Sequence, residues 1–577
     1  MAILCGRRCV RPAVCLRARA RSALWVALVT ALVGAGSLGW AEETVPAPPE
    51  AGKPSSPGLD TTAAPSGSSQ EAVAGEESQR ESPAAQPASP PQVGIKPPLS
   101  VLWTFSMGAD PGSLLAPVVK GDRVFISHDG KLRCLELQTG AEKWKFEPKS
   151  EEEEEQVEQT KETETTTGSK QGPRVSTAPL VVGDLVIVGA DNSQLYGLNV
   201  SDGKQAWMAR CGGPIVPSPL LYGDLVMLAA QEMVYAIDPA TGKPVWVSAL
   251  ASVASWGPVS DGAGLYFLCQ DGSVQAVDAE RGRLRWRSQA FSGARPRPPM
   301  MAEHRVLLAS GSTLMAVART GARSWTAEMP AAIGAQPTVD GDTLYVPCVD
   351  GTVLALYPSS GRDLHRKPVK VGSAATAAPL VTGEVIFVGT GSALLYAADL
   401  ASGEATWGYR CRGPDQPLGV AAELGIYAPI VEADGAILCL TGGGDLFCFS
   451  SSARDSVAPR FSDLQPEPAS ALPSKQAVAI KFVVVDDGSG VDPRSVALIV
   501  DGNPTRVAFD PSDGGGEITF PYLPDGSHVV KVTAKDYRGN EGSVEWSFLT
   551  DKSVVPEAET RPGAVGTQPA RRTAGAR

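Results

Sequence analysis

The sequence predicts an all-β protein in which a ring of eight four-stranded blades is followed by a small β-sandwich and flanked by disordered tails. Three observations predict it. A segment reading AIDPATGKPVW, from Ala236 to Trp246, recurs in close variants about every 40 residues. A proline opens each repeat, at Pro117, Pro179, Pro219, Pro258, Pro299, Pro337, Pro379 and Pro429, which counts eight units. After about Pro459 that period stops and a different rhythm of short apolar runs continues to Thr550. A period near 40 residues with several short strands per unit is the signature of a β-propeller, because one four-stranded unit cannot bury both of its faces alone.

Each repeat is an apolar strand ending in Ala-x-Asp or a variant of it, a turn closed by Gly, and a second strand carrying Trp. Related copies run Leu198 to Trp207, Ala276 to Trp286, Ala316 to Trp325 and Ala398 to Trp407. The tryptophans fall at Trp103, Trp144, Trp207, Trp246, Trp286, Trp325 and Trp407, with spacings of 41, 63, 39, 40, 39 and 82. The last spacing is two periods, because blade 6 places Leu364 and His365 where Trp is expected, so its outer strand should be irregular. The 63-residue gap holds an insertion, 149–171, rich in Glu, which reads as a solvated loop because like charges at that density repel. Between the prolines and the Trp strands, pairs such as Asp129-Gly130, Asp271-Gly272 and Asp350-Gly351 supply the positive φ that tight hairpins require. Blade 8 ends near Phe449 without a Trp strand, while Val101 to Phe105 is a Trp strand with no repeat before it. The simplest arrangement joins the two and closes the ring, which removes an exposed sheet edge. The ring then occupies 99–452.

Residues 1–41 carry six arginines before an apolar run, Ala23 to Val33, and a small-residue stretch, the layout of a signal peptide. The alternative is an uncleaved membrane anchor, since Ala23 to Trp40 is 18 residues long. Residues 42–98 contain twelve prolines and no aromatic residue, too little apolar surface to offset the entropy of ordering, and read as a disordered linker. A net charge of -12 argues against a phosphate-binding surface and hence against nucleic acid as a partner. Seven cysteines follow the leader, an odd number that leaves at least one unpaired; Cys439 and Cys448 flank one tight turn and are the candidate pair.

In the C-terminal part, Ile480 to Val485, Ser495 to Val500, Glu517 to Phe520, Val529 to Ala534 and Ser543 to Leu549 are candidate strands of a sandwich over 459–550, before a Pro- and Ala-rich tail, 551–577. Its clustered Asp486, Asp487, Asp492 and Asp536 read first as turn chemistry, with calcium binding through hard oxygen ligands as the alternative. His128, His304, His365 and His528 have no His or Cys at zinc-ligand spacing and read as turn or surface residues. Neither a nucleophile setting of the G-x-S-x-G kind nor a phosphate-cradling loop is present.

At the repeat A-x-D-x-x-x-G-K-x-x-W the chain resembles the pyrroloquinoline-quinone (PQQ) type of eight-bladed propeller, over about Leu102 to Ser450. The resemblance implies that the seven tryptophans, Trp103, Trp144, Trp207, Trp246, Trp286, Trp325 and Trp407, dock neighbouring blades, a structural role. It also divides the expectation. The quinoprotein dehydrogenases of this superfamily would use an adjacent Cys-Cys disulfide, a calcium ion and a catalytic Asp, whereas the branch of BamB-type outer-membrane assembly factors is non-catalytic. No Cys-Cys pair occurs here and the propeller is close to bare repeat length. The expectation is therefore no enzyme, with no catalytic, cofactor-binding or metal residue assigned and no cofactor. The segment from Asp486 to Asn540 resembles bacterial Ig-like modules. Together these imply an exported scaffold of the periplasm or outer-membrane-associated envelope, whose partners are envelope proteins such as the β-barrel assembly machinery. Membrane association would come through a partner or the uncleaved anchor. The rivals are a PQQ-dependent dehydrogenase and a ligand-binding sensor or adhesion propeller.

Overall fold

The computed structural model describes residues 94–109, 115–149, 172–291, 296–412, 425–474 and 476–554. The leader and nearly all of the linker, of the acidic insertion and of the C-terminal tail lie outside the described residues. Among those described, no helix is long and apolar enough to cross a membrane.

Eight four-stranded antiparallel sheets follow one another along the chain, spanning 118–146, 180–210, 220–249, 254–289, 300–328, 338–370, 380–410 and, for the eighth, 431–450 together with Ser100–Ser106. That N-terminal strand pairs with Asp445–Ser450 from Ser100 opposite Ser450 to Ser106 opposite Asp445, with a bulge between Val101 and Trp103. The Ser106 hydroxyl donates to Asp445 Oδ1 at 2.5 Å. Seven of the eight prolines stand just before an innermost strand; Pro258 instead lies within its strand, Ala254–Ser260, where the pairing is irregular. A missing N–H is tolerated at a bulge.

The two middle strands of each blade are buried on both faces. In Leu225–Ala230, Val226, Leu228 and Ala230 point into the seam shared with blade 2, while Met227 and Ala229 point into the seam shared with blade 4. This follows from the two-residue period of a strand, and it explains why such strands read as unbroken apolar runs. Every seam carries a cluster of this kind, ending with Leu438, Leu440 and Cys448 against Val124 and Ile126, where blade 8 meets blade 1. Outer strands such as Pro244–Ala249 instead alternate between exposed and half-buried positions. In blade 6, lacking Trp, the outer strand shrinks to Val369–Lys370.

After the ring, a four-stranded sheet (Arg460–Gln465, Val478–Val485, Gly515–Phe520, Ala508–Asp510) faces a five-stranded one. The second sheet comprises Ala471–Pro473, Glu541–Asp551, Gly526–Lys535, Ala497–Val500 and Asn503–Thr505. Val478, Ile480, Phe482 and Val484 alternate inward from the first sheet onto Val530, Val532, Trp546 and Phe548 of the second. Four short strands here, at 460, 471, 503 and 508, had no apolar run long enough to mark them in the sequence.

Two expectations are corrected. Cys439 and Cys448 are both free thiols. The hairpin register sets Cys439 opposite Phe447 and Cys448 opposite Leu438, which sends the two sulfurs to opposite faces of the blade and into different seams. Cys439 instead lies 4.0 Å from Cys411. Nor are all four histidines peripheral. His128 and His528 are buried within strands, His528 Nδ1 lying 2.7 Å from Asp501 Oδ2, whereas His304 and His365 occupy positive-φ turn positions.

Burial pushes the thiols of Cys211, Cys269 and Cys448 up to about 12 and that of Cys348 to about 11. Thiolate, not thiol, reacts. Native protein at pH 8 should therefore leave these four unlabelled by a maleimide over hours and label them within minutes in guanidinium, read by mass spectrometry of the peptides.

Candidate functional site

The outer-strand tryptophans share one geometry. Trp103, on the strand that completes blade 8, donates its indole N–H to Leu137 O of blade 1 at 2.8 Å. Its ring lies over Gly140, in the turn before the outer strand of blade 1, where an added Cβ would come 2.6 Å from Trp103 Cδ2. Gly140 also has a φ of +69°, so two separate constraints select glycine there. The arrangement repeats around the ring. Trp144 reaches Val200 O at 2.9 Å, Trp207 reaches Pro239 O at 2.8 Å, Trp286 reaches Arg319 O at 2.6 Å and Trp325 reaches Pro358 O at 3.1 Å. Each covers the turn glycine of the following blade, and Trp246 covers Gly282, although its indole N–H finds no acceptor. At the seam where Trp is missing, the backbone oxygen of Pro368 approaches Gly403 instead.

Trp407 departs from this series. Blade 8 borrows its outer strand from the N-terminus, so the chain has no turn there to receive an indole. Trp407 donates instead to Ser489 O of the sandwich at 2.9 Å and is almost fully buried. Around it, Tyr409 donates to Asp487 O at 3.1 Å, the Val101 N–H to Gly488 O at 3.0 Å, and Arg538 Nε to Ser100 Oγ at 3.1 Å. Tyr409 and Phe449 pack edge to face at 4.9 Å, and Tyr537 of the sandwich lies 6.5 Å from Trp407. The receiving loop, 486–490, is the Asp- and Gly-rich segment noted in the sequence. Nothing local to the Trp407 repeat signals that its partner lies 82 residues downstream.

Beside this junction is a cleft of about 590 Å³, lined by Tyr396, Arg410, Arg412, Arg460, Phe509 and Tyr537 among others. Arg410 donates to Asp513 O at 2.6 Å, and burial, then the charge of Arg412, moves its guanidinium down from the usual value. The aspartates of the sandwich separate into groups. Asp487 pairs with Arg460 at the surface, and Asp492 caps the short turn Pro493–Ser495 and pairs with Arg494. Asp486 and Asp536 converge with Asp455, which the sequence reading did not single out because it stands alone in the connecting segment.

The outer strands also differ in what they show to solvent. Those of blades 1, 2, 4, 5 and 7 each carry at least one Lys, Arg or Glu. The outer strands of blades 3 and 8 carry none; that of blade 8, Ser100–Ser106, is engaged by the sandwich through Val101, whereas Pro244–Ala249 of blade 3 leaves Val245 59% and Val247 46% exposed while pairing on one side alone. Charge is the usual protection of a sheet edge, so this edge can accept an extended apolar strand.

Gly140→Ala should destabilise the chain by about 2–4 kcal/mol, combining overpacking against Trp103 with the left-handed backbone. Gly121→Ala, where a Cβ meets nothing, should cost about 1 kcal/mol. Denaturant titration of both variants checks the difference. Trp407→Phe keeps the ring but orphans the Ser489 carbonyl, for a loss of about 1–3 kcal/mol, and hydrogen exchange should rise at 486–490 more than within any blade.

The family model described as outer membrane protein assembly factor BamB matches residues 100–231, 230–369 and 310–453, more than half of the chain. The BamB of Xanthomonas campestris is 25% identical over 367 residues, covering 62% of this chain and 79% of that protein. The BamB of Alkalilimnicola ehrlichii is 28% identical over 200 residues, covering 32% of this chain and 51% of its own length. Among solved structures, BamB from Moraxella catarrhalis aligns over 62% of this chain and 99% of its own, with a TM-score of 0.45 and 14% identity. The quinohemoprotein alcohol dehydrogenase of Comamonas testosteroni aligns over 66% and 80%, with a TM-score of 0.47 and 15% identity. On the extent of the family match, which spans the whole ring, this chain belongs to the family of outer membrane protein assembly factor BamB.

Proposed function

We propose that this chain is a non-enzymatic scaffold of the cell envelope that takes part in the assembly of outer-membrane β-barrel proteins. The observation that carries the reading is the family match over 100–453, which coincides with the closed ring. The adjacent cysteines that the dehydrogenases would use have no counterpart in the sequence. The protein acts after export, with 1–41 serving as a leader or retained as an anchor and 42–98 as a tether. Its tryptophans hold blade to blade. The Ig-like sandwich, 459–550, extends the ring and orients it. The partner is a component of the β-barrel assembly machinery, engaged through strand addition to the outer edge of blade 3 at Val245 and Val247, where apolar side chains stand without charged neighbours on the strand. Main-chain hydrogen bonds supply affinity in such contacts, and alternate side chains supply selectivity.

The test is in-cell crosslinking of the tagged full-length protein in its native host, followed by mass spectrometry of the captured proteins. A β-barrel assembly component is expected among the reproducible captures. Val245→Asp with Val247→Asp, both on an exposed edge and so of little consequence for stability, should reduce that capture at least about tenfold if edge pairing contributes about 1.4 kcal/mol or more. Capture of a different envelope complex alone would remove the assembly role; capture unchanged by the double substitution would move the contact off blade 3.

A further inference from the structure

We propose that Asp455, Asp486 and Asp536 form a calcium site that fastens the sandwich to the end of the ring. The three come from separate pieces of chain. Asp455 lies in the segment leaving the last blade, Asp486 follows Val478–Val485, and Asp536 follows Gly526–Lys535. One carboxylate oxygen from each lies within 4.8 Å of the others. Oxygens bound to a common calcium ion at about 2.4 Å stand up to about 4.8 Å apart, so one such ion can reach all three. The donors are all hard oxygens, which suits calcium and not a softer metal.

Three carboxylates so placed repel one another unless a cation sits among them. Among the described residues none of the three has an ion-pair partner: Arg454, next to Asp455, is exposed and forms no ion pair with them, and three further arginines nearby are engaged elsewhere. Arg538 donates to Ser100 Oγ, Ser451 O and Ala453 O, and Arg494 pairs with Asp492. Arg460 pairs with Asp487.

A separate observation points to a ligand. Asp486 Oδ1 and Ser489 Oγ are both sealed from solvent and neither has a hydrogen-bond partner. Ser489 is fully buried, and its backbone N–H donates to Asp455 Oδ2 at 2.7 Å, so the hydroxyl belongs to a residue fastened to the cluster. Orphaned polar atoms in a sealed place are costly, and coordination to a cation satisfies them. The other oxygen of Asp486 is held by the N–H groups of Gly488 and Gly490 at 3.1 and 2.7 Å, and Asp536 Oδ1 by those of Arg538 and Asn540 at 2.9 and 2.8 Å.

The loop that carries Asp486 also receives Trp407, Tyr409 and Val101 from the ring. A cation shared by this loop, the 536–540 turn and the connecting segment therefore sets how rigidly the sandwich stands on the ring.

The full chain, stripped of metal with a chelator and then freed of it, is titrated with CaCl2 by calorimetry, with thermal unfolding and hydrogen exchange followed in parallel. One ion per chain is expected, saturating below about 1 mM, the weak end of extracellular calcium modules. Unfolding temperature should rise by a few degrees, as for any ligand that binds the native state alone. Exchange should slow at 486–492 and 536–540. Asp486→Asn and Asp536→Asn should each weaken binding at least about tenfold, a loss of about 1.4 kcal/mol, while Asp487→Asn in the same loop leaves it within about twofold. The unmodified chain supplies the decisive reading, so a variant that fails to fold does not obscure it. No heat and no thermal shift up to 5 mM CaCl2 would overturn the site, as would an Asp487→Asn loss equal to that of Asp486→Asn. Equal binding of MgCl2 would overturn calcium as the ion.

Discussion

A middle strand of any blade has no solvent face: its alternate side chains enter two different seams, and each seam is completed only by the neighbouring blade. Val226 depends on blade 2 and Met227 on blade 4. The apolar strands are therefore stable only as members of a closed circle, and the rest of the molecule is arranged around making the circle close. A gap would leave Leu438 and Leu440 of blade 8 facing water. The N-terminal strand prevents this by supplying the missing fourth strand, which joins residues 100 and 450 through the sheet.

Closure by a strand from the other terminus has a second consequence. In blades 1 to 6 the turn before the outer strand presents a glycine to the indole of the preceding blade, and in all of these but blade 4 a carbonyl as well. Blade 8 has no such turn, because its outer strand is not continuous with its third. Trp407 is left facing a position that the ring cannot fill, and the loop 486–490 of the sandwich fills it with the Ser489 carbonyl and the aromatic ring of Tyr537 beyond. The attachment of the second domain thus follows from the way the first one is closed. The same loop is where the carboxylates gather, which sets charge beside burial at a place where ring and sandwich meet.

The surface carries the complementary logic. Most outer strands show charge to solvent, which keeps a free edge from pairing with the next molecule. Blade 3 dispenses with that protection at Val245 and Val247. An edge of this kind is a liability for a protein that works alone and an asset for one that holds another chain.

By itself the sequence determined the fold class, the period, the count of blades and the joining of first strand to last blade, because these rest on local features: apolar runs, Asp-Gly turns and a tryptophan at a fixed offset. It also marked blade 6 as irregular, since a missing Trp is visible in one dimension. What the tertiary structure alone decided is which groups at different places in the chain come together. Cys439 turned away from Cys448 because antiparallel register, not proximity in sequence, sets the face on which a side chain emerges. His128 and His528 are buried because of the strands that cover them, which no spacing pattern records. Asp455, one acidic residue in a connecting segment, acquired neighbours only when the sandwich folded back onto the ring, and of the four aspartates that the composition drew together, Asp487 and Asp492 went to arginines. Periodicity is a property of neighbours along the chain; the junction is made between residues up to 438 positions apart, as for Arg538 and Ser100, and their meeting is decided by how the closed ring presents its last unfilled seam.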